Sequence, residues 1–192
     1  HVVDGLWGQI LSMVNGGSAV SWALELTGNA GKSGEAIDEL LASAPPGSEG
    51  VRFWPFMSPF GASGLAPGTR GRLDGLQLHH NGAHVIRAVV EGLGYELNRY
   101  LGLLRRAGQK IGRLVMSGGA ASSGVTPAIL ADITGLPLRC FAAGDASLIG
   151  AAILARGLLE PKQPLALLAE AMAPSYREVQ PDGQAILYQE QY

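Results

Sequence analysis

A pair of adjacent glycines at the end of an apolar run constrains this chain more than any other feature. Residues 114–131 read LVMSGGAASSGVTPAILA, so the apolar run stops at Gly118 and Gly119, and small and hydroxyl residues lead into a helix-like repeat. This order predicts a strand, a corner without side chains, and a helix with a partial positive charge at its start. The N–H groups of such a corner are open to a nucleotide phosphate or ribose. A glycine pair is also typical of a plain turn without a ligand, and spacing alone leaves both interpretations open.

The residues around this corner predict an alternation of helices and strands. The letters ILADITGLP at 129–137 predict a helix that ends in glycine and precedes a strand at 138–141. Hydrophobic spacing predicts further strands at 2–13, 51–57, 70–78 and 114–117, and helices at 18–26, 33–43, 80–107, 126–134, 145–154 and 164–172. This alternation with short loops is typical of an α/β layered domain.

Composition and charge narrow the class of protein. The chain has 192 residues, and its 47% hydrophobic and 16% charged content predicts one ordered domain rather than a disordered segment. A net charge of −2 with scattered basic residues gives no indication of a nucleic-acid surface. The single cysteine, Cys140, excludes an internal disulfide and fits a reducing compartment as a buried thiol. No apolar run has membrane-spanning length and no leader is recognised, so a soluble, cytoplasmic protein without a membrane partner is expected.

The order of the motifs resembles the C-terminal domain of the FGGY family of carbohydrate kinases, in a xylulokinase-like form. That family carries a GGGA-type loop, an ILAD segment followed by GxP, and a GAAxLA helix, which here is GAAILA at 150–155. Three further segments fit in the same order: NGGSAVSW at 15–22, PGTRGRLDGL at 67–76 and HVIRAVVEG at 84–92. The resemblance implies an actin-like, ribonuclease-H-like ATPase domain, with a mixed sheet flanked by helices. It also implies that residues 1–192 are the nucleotide-binding domain and that an N-terminal sugar-binding domain lies outside this chain.

The resemblance implies nucleotide contacts at two glycine bends. In the family, the second glycine of the GGGA-type loop and a polar residue four positions later contact the nucleotide, and a second glycine bend near the start of the domain does the same. Relatives often have an amide where Ser123 stands, and some have glutamine where Ser21 stands, so these two positions depart from the pattern. For Gly17, residue spacing by itself favours a glycine bend that caps a helix. The implied set is Gly17, Ser21, Gly118, Gly119, Ala120 and Ser123.

The resemblance implies ATP-dependent phosphorylation of a sugar or polyol hydroxyl, with a pentulose such as xylulose as substrate. The general-base aspartate and the Mg²⁺ ligands of the family are expected upstream of this chain, so no catalytic residue is assigned here and the chain by itself is expected to be inactive. A homodimer is possible, because family members often form one. The alternatives are a non-catalytic nucleotide-binding or interaction module of the actin-like fold, and a domain that has lost its ligand.

Two motifs that are similar to ligand-binding sequences, one to a phosphate-binding loop and one to a metal site, are interpreted as structural. GNAGKS at 28–33 is not a P-loop, because Leu26 stands where that motif needs glycine and because the segment follows a helix. His79, His80 and His84 include an i, i+4 pair that could bind a metal ion, but no third ligand is evident in the neighbouring sequence. Ordinary helix capping is therefore predicted, and no metal site is assigned.

The carboxylates do not form a catalytic group in the sequence. Glu91 lies four residues after Arg87, which predicts an ion pair on a helix surface. Asp145 is predicted to cap a helix, and Asp132 lies near a helix end without a paired carboxylate in the sequence. Residues 61–63 read GAS where many relatives carry glycine–glutamate–arginine, which leaves the sugar subclass open.

Overall fold

A 25-residue helix, α3 (Gly82–Arg106), runs through the centre of the molecule and packs against α1, α2, α5 and β1. The computed structural model describes residues 8–13, 15–58, 66, 68–141, 146–182, 184 and 188. Its elements are α1 (Gly17–Leu26), α2 (Gly34–Ser43), a 3-10 turn (Ser48–Gly50), β1 (Arg52–Trp54), β2 (Arg72–Asp74), α3, β3 (Leu114–Met116), α4 (Gly119–Ser122), α5 (Thr126–Thr134), β4 (Leu138–Phe141), α6 (Ala146–Leu159), α7 (Leu165–Met172) and β5 (Tyr176–Val179). Among these described helices, none is both long and apolar enough to cross a membrane.

The described strands form a two-stranded antiparallel sheet and a mixed three-stranded sheet. β1 and β2 are antiparallel, with Phe53 opposite Leu73. In the second sheet β4 lies between β3 and β5, parallel to β3 and antiparallel to β5. The prediction of an α/β domain with a mixed sheet flanked by helices is confirmed.

Most predicted elements are present, with shorter strands and one omission. The helices at 18–26, 33–43, 80–107 and 126–134 are confirmed within a residue or two, and the strand at 138–141 has its predicted bounds. The predicted strand at 2–13 is wrong for residues 8–13, which have no regular structure, and its residues 2–7 lie outside the described part of the chain. The predicted cap at Asp145 and the loop at 61–63 also lie outside the described residues. The sequence analysis predicts no strand at β5, where three of the four residues are exposed, and only pairing with β4 reveals it.

The helices begin where local chemistry satisfies their first N–H groups. Ser33 caps α2, because its Oγ accepts a hydrogen bond from the N–H of Ala36 at 3.3 Å. Asn81 caps α3 through its Oδ1, and His84 completes the capping box. The apolar stripe of α3 then packs into a core made of Ala19, Ala23, Leu41, Phe53, Ile86, Val89, Val90, Leu93, Ile129, Ile133 and Tyr188.

One glycine of α3 is required by the closeness of β1. A Cβ at Gly92 would lie 2.3 Å from the carbonyl oxygen of Phe53, which is a backbone atom that cannot rotate away. A Cβ at Gly102, in the same helix, would meet only the end of the flexible Arg106 side chain at 3.4 Å. The two glycines therefore differ in their surroundings while sharing a helical backbone.

Replacing Gly92 with alanine is expected to lower the free energy of unfolding by about 1–3 kcal/mol, because the helix must move away from β1. Gly102→Ala serves as the matched control and should be neutral or raise stability by about 0.5–1 kcal/mol, since alanine loses less conformational entropy in a helix. Urea unfolding followed by circular dichroism measures both. Equal effects of the two substitutions would contradict this account.

Candidate nucleotide cleft

A cleft of about 870 Å³ lies between α1, α2, the segment from β3 to α5, and one face of α3. Its lining combines small residues with apolar side chains. The apolar lining comes from Met13, Val20, Leu24, Ile37, Leu41, Val90, Leu93, Leu97, Met116 and Leu130. A cavity of this size with mostly apolar walls is typical of a small-molecule site.

The first glycine bend lies at the start of α1. Gly17 is the first residue of this helix, Ser21 lies one turn later, and both are exposed and line the cleft. Open space surrounds the position that a Cβ of Gly17 would occupy. The first turn of α1 contains no acidic residue, so its N–H groups keep their partial positive charge.

The second bend lies between β3 and α4. Gly118 has φ +85°, a left-handed conformation that a side chain would strain, and it turns the chain away from the sheet. Gly119 and Ala120 follow and line the cleft, as does Ser123. The structure therefore brings five of the six predicted residues to one cleft, while Gly118 shapes the corner without being part of the lining.

Between the corner and the predicted helix lies one helical turn, α4, that the sequence did not predict. α4 has only four residues, Ser123 is extended, and α5 starts anew at Thr126. Pro127 lies in the first turn of α5, where its missing N–H is not needed and its fixed φ favours a new start. α4 is a single turn, and the helix predicted to bring a partial positive charge starts at Thr126, which also lines the cleft.

Ser123 has a structural task that its sequence position does not reveal. Its Oγ donates to Asp38 Oδ1 at 2.5 Å and accepts from the N–H of Thr126 at 2.9 Å, while Gly124 N–H donates to Asp38 Oδ2 at 2.7 Å. These bonds join α2 to the start of α5. The hydroxyl would reach a nucleotide only by releasing Asp38. Asp38 is thus a residue of the cleft that the sequence analysis missed, since a lone aspartate on α2 carries no motif.

The charged side chains in the described lining of the cleft are all acidic. Glu35 and Asp38 of α2 both line it, whereas the described lining contains no lysine or arginine. Carboxylates suit the hydroxyl groups of a ribose and repel phosphates, which are accepted instead by backbone N–H groups. The α2 side of the cleft therefore suits a sugar hydroxyl, and the glycine bends suit an anionic group.

A buried ion pair holds α2 against α3. Arg87 Nε lies 2.8 Å from Glu91 Oε1, and their side chains are only 7% and 3% exposed, so the prediction of a surface pair is wrong. Arg87 also donates to the carbonyl oxygens of Leu41 and Ala44 at the end of α2, at 2.8 and 3.1 Å. The pair is buried because α3 is covered on several sides by other elements, which helical spacing cannot show.

Three further predictions concern single residues. Cys140 is a free, buried thiol as predicted, and burial raises its pKa. Asp132 is buried too. Burial raises its pKa, and a hydrogen bond from Asp182 N–H at 2.7 Å acts in the opposite direction.

The capping predicted for the histidines is confirmed at His84, but Glu49 lies beside them as the third candidate ligand that was not evident in the sequence.

Comparison with known proteins identifies relatives of this architecture. The model of the "FGGY family of carbohydrate kinases, C-terminal domain" matches residues 1–156. The xylulose kinase of Escherichia coli (strain K12) is 30% identical over 169 residues, which cover 86% of this chain and 34% of that protein. The chain spans about a third of the length of the curated relatives it matches.

Solved structures agree in fold. The crystal structure of xylulose kinase from Rhodospirillum rubrum superposes with a TM-score of 0.77 and 26% identity, over 91% of this chain and 35% of that one. The structure of Plasmodium falciparum glycerol kinase with ADP gives a TM-score of 0.75 at 21% identity, over 91% of this chain and 34% of that one. The second likeness concerns the fold alone.

Proposed function

The chain belongs to the FGGY family of carbohydrate kinases, as its C-terminal domain, and we propose that it is the ATP-binding lobe of a kinase that phosphorylates a sugar or polyol hydroxyl. One observation carries this proposal. Residues from two distant glycine bends, Gly17 and Gly119 among them, line one cleft with apolar walls. The Plasmodium falciparum glycerol kinase, which has the same fold, was solved with ADP.

The lining supports an orientation for the nucleotide. We place the adenine against the apolar side chains of α1 and α3, and the ribose near Asp38 and Glu35, whose carboxylates can accept hydrogen bonds from its hydroxyls. The phosphates then point toward the N–H groups at Gly17 and Gly119, where a side chain would block their approach. Ser21 has an exposed hydroxyl within the same lining and is a proposed contact. Ser123 and Ala120 are proposed contacts through their backbone.

Phosphoryl transfer depends mainly on alignment of donor and acceptor and on stabilisation of charge. The charged side chains in the described lining are Glu35 and Asp38, and it contains no lysine or arginine for the phosphates. We therefore propose that a second lobe supplies the sugar site, the general-base aspartate and the acids that hold Mg²⁺. Closure of two lobes would exclude water and align the reactants. The reaction is proposed for the cytoplasm, a reducing compartment that suits the free thiol of Cys140.

The proposed substrate is a pentulose such as xylulose, in keeping with the xylulose kinases among the relatives. Titration of the chain with ADP by calorimetry tests the nucleotide site directly, with adenosine as the comparison for the phosphate contribution. Turnover of the complete protein on a panel of pentuloses, hexuloses and polyols tests the substrate class. We expect one ADP bound per chain and the highest kcat/KM on a pentulose. Absence of ADP binding would overturn the proposal.

A second candidate is a non-catalytic nucleotide-binding module of the same fold. The observation that favours it is the Ser123 hydroxyl, which is committed to Asp38 and to the first turn of α5. Such a module would bind ADP but would show no turnover on any acceptor in the panel.

A further inference from the structure

Three histidines at the start of α3 and a glutamate from the Ser48–Gly50 turn form a cluster outside the cleft. His79 Nε2 lies 3.0 Å from Glu49 Oε2, and His84 Nε2 lies 3.7 Å from the same oxygen. One ligand atom from each of Glu49, His79 and His80 lies within 4.8 Å of the other two. We propose that these three residues bind a divalent transition-metal ion such as Zn²⁺, with His84 beside them.

The donor set and the spacing suit zinc. Imidazole nitrogens and a carboxylate oxygen are ligands that Zn²⁺ prefers, with bonds of about 2.0–2.2 Å. Ligand atoms around a tetrahedral ion are then about 3.3 Å apart. The 3.0 Å separation between His79 Nε2 and Glu49 Oε2 is close to that value, and a ring nitrogen of His80 lies within 4.8 Å of both ligand atoms. A fourth position is left for water or for His84.

The ring of His80 has an unused nitrogen in this cluster. Its Nε2 is buried and has no hydrogen-bond partner in the part of the chain that the structure describes, which is costly for a polar atom. Its Nδ1 accepts from the N–H of Gln77 at 2.8 Å, so the neutral ring carries its proton on Nε2. A metal ion at Nε2 needs the tautomer with the proton on Nδ1. In that tautomer the hydrogen bond from Gln77 N–H to His80 Nδ1 is lost, and both groups bond to water instead, because this bond lies at the surface.

Neutral imidazole is the form of histidine that binds metal ions.

The backbone of the turn points Glu49 at the histidines. Ser48 and Glu49 have φ of 49° and 51°, in the left-handed region that residues other than glycine seldom adopt. Glu91 keeps the turn in this form, because it accepts hydrogen bonds from Gly47 N–H and Ser48 Oγ, both at 3.0 Å. A strained backbone conformation of this kind persists only where surrounding contacts enforce it, and such conformations are concentrated at functional sites. A metal ion here would join the turn to the start of α3.

His84 has a positioning role in this arrangement. Its Nδ1 accepts from the N–H of Asn81 at 3.2 Å within the capping box of α3. It is therefore kept in place by the helix end, and its substitution would disturb the helix as well as the cluster. His79 and Glu49 are better positions for a test, since their side chains are 55% and 46% exposed.

The test is a titration of the chain with ZnCl₂ by calorimetry at neutral pH, after treatment with a chelator and dialysis. Cobalt(II) as a second probe reports tetrahedral geometry through its visible absorption. We expect one ion per chain, and His79→Gln and Glu49→Gln should each weaken Zn²⁺ binding by more than about a hundredfold, beyond the roughly 10–100-fold loss typical of outer-shell partners. His1→Ala is the matched control, because His1 is the one histidine outside the cluster.

The outcomes separate the alternatives. Loss of binding in His79→Gln and Glu49→Gln with an unchanged His1→Ala variant supports the site. Unchanged affinity in the two cluster variants, loss of binding in His1→Ala, or no bound ion at all overturns it. Circular dichroism of each variant verifies folding, and a rise in Tm on addition of Zn²⁺ to the parent chain but not to His79→Gln gives an independent readout.

Discussion

Replacing Gly119 with valine should weaken ADP binding to this chain by more than about tenfold, a loss of at least about 1.4 kcal/mol, while leaving the chain folded. Gly119 lies in the lining of the cleft, and open space surrounds the position of its missing Cβ. A valine therefore meets no protein atom at its Cβ but occupies the volume proposed for the nucleotide. Calorimetric titration with ADP measures the effect.

Gly112→Val is the matched control for this experiment. Gly112 lies in the loop before β3, has the same open surroundings at its Cβ, and is absent from the cleft lining. Its ADP affinity should equal that of the parent chain. Gly17→Val should behave like Gly119→Val if both bends face one ligand. Unchanged affinity in both cleft variants would remove the site assignment, even if ADP binds elsewhere on the chain.

Replacing Arg87 with methionine is expected to lower the free energy of unfolding by about 3–5 kcal/mol, the usual cost of removing one partner from a buried ion pair. The substitution leaves the Glu91 carboxylate buried without its cation, and it removes the donors to the carbonyl oxygens of Leu41 and Ala44. Against a typical total of about 5–15 kcal/mol, this is a large fraction of the stability of a domain. Chemical denaturation measures it.

Arg156→Met provides the matched control, because the Arg156–Glu160 pair has the same i, i+4 spacing and the same 2.8 Å separation but is 45% and 36% exposed. Its loss should cost no more than about 0.5 kcal/mol. Replacing both Arg87 and Glu91 by methionine should recover part of the loss, since no unpaired charge then remains buried. Equal destabilisation by Arg87→Met and Arg156→Met would show that burial is not the deciding factor.

The buried pair also connects the two sites described above. Arg87 binds the end of α2, and α2 carries Asp38 into the cleft. Glu91 binds the turn that presents Glu49 to the histidines. A helix-surface interpretation of an i, i+4 pair misses both roles, because residues four apart on a helix share a face whether that face meets water or another element.

Local patterns were sufficient for elements whose signals are close together in the sequence. The apolar repeats of α2 and α3 and the Gly135 stop of α5 predicted these helices within a residue or two, since helical periodicity and stop signals act over a few residues. The glycine bends were recognised for the same reason. β5 and the Asp38–Ser123 bond were missed, because strand pairing and this bond join residues far apart in the chain.

The order of residues along the chain determined by itself the α/β class, the two bends without side chains, and the resemblance to a kinase domain, since each depends on neighbours in the sequence. Only the tertiary structure decided which distant residues meet: Gly17 with Gly119 across one cleft, Asp38 with Ser123, and Glu49 with the histidines. The physical reason is that burial and through-space contacts arise when elements pack around α3, and spacing along the chain carries no information about which face is covered.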